Sequence, residues 1–258
     1  ISLLGAALVV FFVGTTSPTG TIMATSIWGG SASWTLTALP MFVWMGEILF
    51  RSRLSEEMFK GLAPWLNRLP GRLFHVNVIG CGIFAAACGS SAATMATIGR
   101  ISLPELDKRG YEPSLSMGAL TSAGTLGIMI PPSITFIVYG VSAEVSIARL
   151  FAAGILPGIV LMLLFMGYIA FWSMLHKDKM PPPEPSIAFM EKLKLSRHLI
   201  PVCILIALVI GSIYTGVATP TESAAIGVAG ALLLSAISGT LTRANFIESV
   251  RESVRTSC

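Results

Sequence analysis

The sequence predicts an all-α integral membrane protein: a polytopic helix bundle carrying a re-entrant helical hairpin and a discontinuous transmembrane helix. Three observations carry that expectation. No Asp, Glu, Lys or Arg occurs in 1–46, 73–99, 113–143, 150–175, 199–221 or 223–242. The basic residues gather between these stretches. Two of the stretches contain residues that no straight helix tolerates. Crossing the hydrocarbon core takes about 20 predominantly apolar residues, and every charge-free stretch reaches that length. A soluble domain carries about 25% charged residues, whereas this chain has 12%, which excludes an ordinary soluble enzyme or nucleic-acid binder. The net charge of +4 is then a signal of membrane topology.

Taken in order, Ile1 to Gly14 is wholly apolar, with no basic leader and no small-residue cleavage site. It is expected to be part of a transmembrane helix, not a signal peptide. The last residues, to Cys258, are amphipathic, so residues 1–258 are expected to form a single membrane domain cut from a longer protein at both ends. Residues 36–50 are expected to run inward with Glu47 near the inner end, an interfacial carboxylate or, alternatively, a proton site. Residues 51–72 set Leu54, Met58, Phe59, Leu62, Trp65 and Leu66 against Arg and Glu, the pattern of a helix lying along the inner surface.

Residues 73–99 decide the topology. The basic clusters are 51–72, 100–109, 177–197 and 243–255, with Arg149 alone outside them. If 73–99 crosses the membrane, Lys and Arg divide 11 to 6 between the two faces; if it enters and returns, they divide 16 to 1. Cytoplasmic loops hold the excess of Lys and Arg, so 73–99 is expected to be a re-entrant hairpin open to the cytoplasm. Its middle, Ala87-Cys88-Gly89-Ser90-Ser91-Ala92-Ala93, supplies a glycine for reversal and hydroxyls for freed backbone groups. The texture alone also fits a Gly/Ser-rich helix interface; the charge count favours the hairpin.

Residues 114–140 are expected to be a broken helix running outward. Gly124-Thr125-Leu126-Gly127 precedes Pro131-Pro132-Ser133, and two prolines remove two backbone donors. In lipid each freed carbonyl needs a partner, so an interruption implies protein, water or an ion there. The alternative is a plain proline kink. Next, 148–175 runs inward, 176–197 is a cytoplasmic loop in which Pro181-Pro182-Pro183 forbids helix, 199–216 runs outward and 223–240 inward. Thr219-Pro220-Thr221-Glu222 has the spacing of a capping box, and 241–258 is again amphipathic. The four cysteines, Cys81, Cys88, Cys203 and Cys258, lack metal-ligand spacing.

Two broken elements at membrane depth are the pattern of secondary transporters. Half-helix N-termini suit an anion; unwound carbonyls and hydroxyls suit a hard cation such as Na⁺. The candidate substrate- and ion-binding residues are Gly89, Ser90, Ser91, Ala92 and Thr94 on the hairpin. On the broken helix they are Thr121, Thr125, Gly127, Pro131, Pro132 and Ser133. Ser90, Ser91, Thr125 and Pro131 are the candidates for Na⁺. A serine nucleophile would need a base in reach; His176 and His198 lie beside a loop and no Asp lies in any span, so a transporter is expected and not an enzyme.

Ordered motifs carry a resemblance over Leu39 to Ser257. They are Leu39-Pro40-Met41-Phe42 with Gly46-Glu47, Arg68-Leu69-Pro70-Gly71, Gly89-Ser90-Ser91-Ala92, Lys108-Arg109-Gly110-Tyr111, Ile130-Pro131-Pro132-Ser133-Ile134, Tyr139-Gly140, Ala153-Gly154-Ile155-Leu156-Pro157-Gly158 and Thr219-Pro220-Thr221-Glu222-Ser223-Ala224-Ala225. The chain resembles the large membrane subunit of tripartite ATP-independent periplasmic (TRAP) transporters, the DctM-like family. The resemblance implies an ion-transporter-superfamily-like fold, here one repeat plus part of the next. It implies Na⁺-coupled elevator symport of an organic anion, a carboxylate or sugar acid. No cofactor is expected beyond Na⁺ as coupling ion. The implied partners are a small four-helix membrane subunit and a periplasmic substrate-binding protein, and the implied location is the bacterial inner membrane. A stand-alone dicarboxylate/Na⁺ symporter or antiporter is the alternative, and an intramembrane serine enzyme a remote one.

Overall fold

The computed structural model describes residues 19–182 and 188–257, with Gly5 and Val9. Apart from Gly5 and Val9, the stretch Ile1–Gly14 lies outside the described residues, as does Pro183, and so do the expectations for them. Among the described residues all regular structure is helical. The helices are α1 Thr19–Ser31, α2 Ala38–Arg51, α3 Leu54–Leu66, α4 Leu73–Cys88, α5 Ser91–Lys108, α6 Pro113–Gly124, α7 Leu126–Met129, α8 Ile134–Ser142, α9 Ile147–Leu175, α10 Phe189–Ser196, α11 Ile200–Tyr214, α12 Pro220–Ile237 and α13 Arg243–Ser257.

Four helical stretches are long and apolar enough to cross a membrane: Gly20–Arg51, Pro113–Ser142, Ile147–Leu175 and Pro220–Ile237. A fifth is formed if α10 and α11, bent by 50° at their junction, count as one span. Helix α9 alone has 29 residues, about 44 Å at roughly 1.5 Å per residue. Its Leu156, Leu163, Leu164, Phe171 and Met174 are exposed, as lipid-facing side chains would be.

The core forms around α4, which is buried along almost its whole length. Small residues allow this: Gly82 meets Met162 of α9, and Phe74 stacks edge-on with Tyr111 at 4.9 Å between centroids. Helix α4 then reverses into α5. A Cβ on Gly80, nine residues before Gly89, would sit 3.7 Å from Cδ1 of Ile98, nine residues after it. A continuous helix would hold those positions about 27 Å apart, so the two helices fold back on one another.

Helix α2 is gripped from two sides. Gly227 of α12 fits against Met45, and α13 lies along α2, where Trp44 Nε1 donates to Ser249 Oγ (3.1 Å), Ser253 Oγ to the Pro40 carbonyl (3.0 Å) and Arg51 to Glu248 (2.7 Å). The amphipathic face of α3 is covered by protein: Leu54, Met58, Phe59 and Leu62 are buried. The segment 176–197, expected as a loop between spans, contains the short helix α10. This helix packs on α3 because Trp65 donates to Ser196 Oγ (2.6 Å) and meets Phe189 edge-on. The prolines at 181–183 restrict only their own neighbourhood, and α10 starts beyond them at Phe189.

Candidate functional site

The turn between α4 and α5 is built from two adjacent caps. Gly89 ends α4 in the left-handed region (φ 63°), and its N–H donates to the Ala85 carbonyl at 2.8 Å. Glycine takes this conformation without a Cβ penalty. Ser90 is extended and caps α5, its Oγ accepting from the Ala93 N–H at 3.5 Å. Reversal therefore takes two residues.

The interruption opposite follows from missing donors. The Ile128 carbonyl would ordinarily accept from residue 132, and the Gly127 carbonyl from residue 131, but both are proline and have no N–H. Ser133 Oγ takes up the Ile128 carbonyl at 2.6 Å. Residues preceding proline are pushed to extended backbone, and Ile130 (ψ 124°) ends α7 that way. Ser133 is extended as well and starts α8. The break therefore occupies Ile130–Ser133.

Turn and break meet. The Ile134 N–H, first of α8, donates to the Gly89 carbonyl at 3.2 Å. A Cβ on Gly89 would lie 2.5 Å from the Pro132 oxygen, and one on Gly127 would lie 2.8 Å from both Ser90 C and Ser91 N. A Cβ on Gly46 of α2 would lie 2.9 Å from Cys88, and one on Gly124 would lie 3.1 Å from the Met95 Cβ. Carbonyl oxygens of Gly89, Ser90 and Pro132 thus crowd one junction with the N-termini of α5 and α8. Ser91 Oγ is buried there without a hydrogen-bond partner. Thr94, one turn further along α5, and Ser133, in the break, are fully buried.

The remaining candidates divide. Pro131 and Pro132 are buried within the break. Ala92 is exposed on the first turn of α5. Thr125 is exposed and donates to the Ser122 carbonyl (2.6 Å), which leaves oxygen lone pairs available to a cation. Thr121 donates to the Met117 carbonyl (2.8 Å) one turn earlier on an exposed face. Two glycines outside the candidate set, Gly46 and Gly124, turn out to be required for close approach; a small residue in the bulky run Met41–Phe50 was the available signal for the first. Asn77 is fully buried with both amide atoms unpartnered. His75 Nε2 faces the Pro70 carbonyl, an anchoring role. Among the described residues no three His, Cys, Asp or Glu gather as a transition-metal site requires; the junction presents carbonyl and hydroxyl oxygens and backbone N–H groups.

The model of the family described as tripartite ATP-independent periplasmic transporter, DctM component, matches residues 1–258. The chain belongs to this family. Among its TRAP relatives, the C4-dicarboxylate TRAP transporter large permease protein DctM of Pseudomonas aeruginosa is 33% identical over 79% of this chain and 47% of its own length. The isethionate TRAP transporter permease protein DctMQ of Oleidesulfovibrio alaskensis is 34% identical over 87% and 35% respectively. The sialic acid TRAP transporter large permease protein SiaM of Vibrio cholerae is 29% identical over 96% and 57%. The chain spans about half the length of the curated relatives it matches. These relatives are transporter permeases and not enzymes, and a DctM-component protein with such spans is a bacterial inner-membrane protein.

Proposed function

We propose that this chain forms the hairpin-bearing part of a Na⁺-coupled TRAP importer for an organic anion, a carboxylate or sugar acid, and that the junction of Gly89–Ser91 with Gly127–Ser133 is where ion and substrate bind. The observation that carries the reading is the Ile134–Gly89 hydrogen bond, because it holds the N-terminus of α8 against the turn that leads into α5. N-termini favour negative charge, and the charge-free spans offer an anionic substrate no Lys or Arg. Na⁺ is served by the oxygens of Ser90, Ser91 and Thr125 and by the carbonyls around Pro131. The buried, unpartnered Ser91 Oγ supports this, since an orphaned hydroxyl costs about 1–3 kcal/mol unless something meets it. The reading extends to an elevator motion of the hairpin, to a small four-helix membrane subunit and a periplasmic binding protein as partners, and to basic loops on the cytoplasmic side.

The test is uptake by the intact parent protein reconstituted with both partners. Uptake is expected to need an inward Na⁺ gradient and the binding protein; uptake indifferent to both sinks the proposal. In the same assay Ser91→Ala is expected to raise the Na⁺ concentration for half-maximal uptake about tenfold, one lost charge-assisted contact of roughly 1.4 kcal/mol. Membrane insertion should be unchanged.

A further inference from the structure

A cavity of about 750 Å³, lined by charged and apolar side chains, lies between the end of α2, one side of α3, the later turns of α5 and Leu195 of α10. Its wall holds five basic residues, Arg51, Arg53, Lys60, Arg100 and Arg109, against two acidic ones, Glu56 and Glu105. The carboxylates are already engaged. Glu56 accepts from Lys60 at 2.7 Å, and Glu105 faces Lys108 and Arg109 at 3.5 and 3.4 Å. The Lys60 hydrogen bond, with a smaller pull from Arg53, holds the Glu56 carboxyl below its ordinary range, so it stays an anion committed to its neighbours. Arg51 is divided between Glu47 (3.5 Å) and Glu248 (2.7 Å).

Two cations are left over. Arg53 and Arg100 are exposed, and neither has a carboxylate within 4 Å among the described residues. The Arg100 guanidinium lies 4.6 Å from the Phe50 ring centroid, held to the cavity wall by its π-face. Below the charges the lining is apolar, with Phe50, Phe59, Ile101 and Pro104. The cavity opens where the apolar stretch Gly20–Arg51 ends, the depth at which lipid headgroups lie.

We propose that this cavity binds the phosphate of an anionic phospholipid, with Arg53 and Arg100 on the phosphate oxygens and the glycerol and first acyl carbons on the Phe50–Ile101 floor. Guanidinium forks match phosphate geometry, and basic pockets at the cytoplasmic ends of membrane helices take acidic headgroups. A zwitterionic lipid would bring its own ammonium against the two arginines. Free phosphate would use the same cations but leave the apolar floor and most of the volume unfilled.

The experiment uses the full-length parent with its small membrane subunit, stripped of lipid in detergent. Phosphatidylglycerol, phosphatidylcholine and inorganic phosphate are titrated separately, and bound copies are read by native mass spectrometry. Phosphatidylglycerol is expected to bind and phosphatidylcholine to bind at least tenfold more weakly. Each cation near an acidic headgroup is worth about fivefold in affinity, so the paired Arg53→Ala and Arg100→Ala change should weaken phosphatidylglycerol about thirtyfold. Arg243→Ala, outside the cavity, should change nothing. If the alanine pair does not assemble, Arg100→Gln alone carries the test, with about a fivefold loss expected. Equal affinity in these variants, or equal binding of phosphatidylcholine, overturns the proposal. Inorganic phosphate that binds as tightly and displaces the lipid would assign the cavity to a soluble phosphate and overturn the lipid reading.

Discussion

Alanine at position 127 would put its Cβ 2.8 Å from the backbone of Ser90 and Ser91, closer than any relaxed carbon contact, and backbone on both sides leaves nothing flexible to yield. Gly127→Ala is therefore expected to pry the break from the hairpin and cut uptake at least tenfold while leaving insertion intact. Gly167→Ala on α9, where a Cβ meets nothing within 4 Å, is expected to leave uptake unchanged and stabilise the helix by up to about 1 kcal/mol; uptake assays paired with thermal melts check both. At this scale the sequence was legible in part. Gly89, Ser90, Gly127 and Pro131–Ser133 stood out because each alters backbone chemistry by itself. Thr121 stood out for the same hydroxyl yet bonds its own helix at Met117, since a helical threonine can always turn back to a carbonyl one turn earlier. Gly46 and Gly124 matter through Cys88 and Met95, neighbours distant in sequence; the local pattern marks a small residue at each but not what it meets.

Elements divide according to whether their ends are set locally. Helix α12 starts with a full capping box: Thr219 Oγ accepts from the Glu222 N–H (3.3 Å) while the Glu222 carboxylate accepts from the Thr219 N–H (2.8 Å). Thr219→Ala is expected to cost about 1 kcal/mol of stability, and Thr219→Ser little; melting of the detergent-solubilised protein distinguishes them. Such a cap is readable from four residues. The break at Ile130–Ser133 is equally local, because two prolines lack N–H groups in any context. The placement of α10 and α13 is not. An amphipathic stripe announces that a face will be covered, but bilayer and protein cover it alike. Here α13 turned to Trp44 and Pro40 of α2, and α10 to Trp65 of α3.

For the whole molecule, absence of charge over long stretches was enough to establish a helical membrane protein, because hydrocarbon admits few alternatives. The sidedness of the hairpin is a separate proposal, and impermeant labelling addresses it. Single cysteines introduced as Arg68→Cys and Lys108→Cys in a cysteine-free parent are expected to react with an impermeant maleimide only after the inner face is opened. Reaction of the two from opposite faces would show a crossing helix and end the re-entrant reading. One further consequence belongs to the bond between Ile134 N–H and the Gly89 carbonyl. It is written entirely in main-chain atoms, so among ordinary substitutions only proline at 134, which has no N–H, can delete it. Every other side-chain substitution would register this joint only indirectly, through bulk at the glycines around it. Replacing the residue-134 amide by an ester, which keeps every side chain and removes one hydrogen, is the change that would expose it.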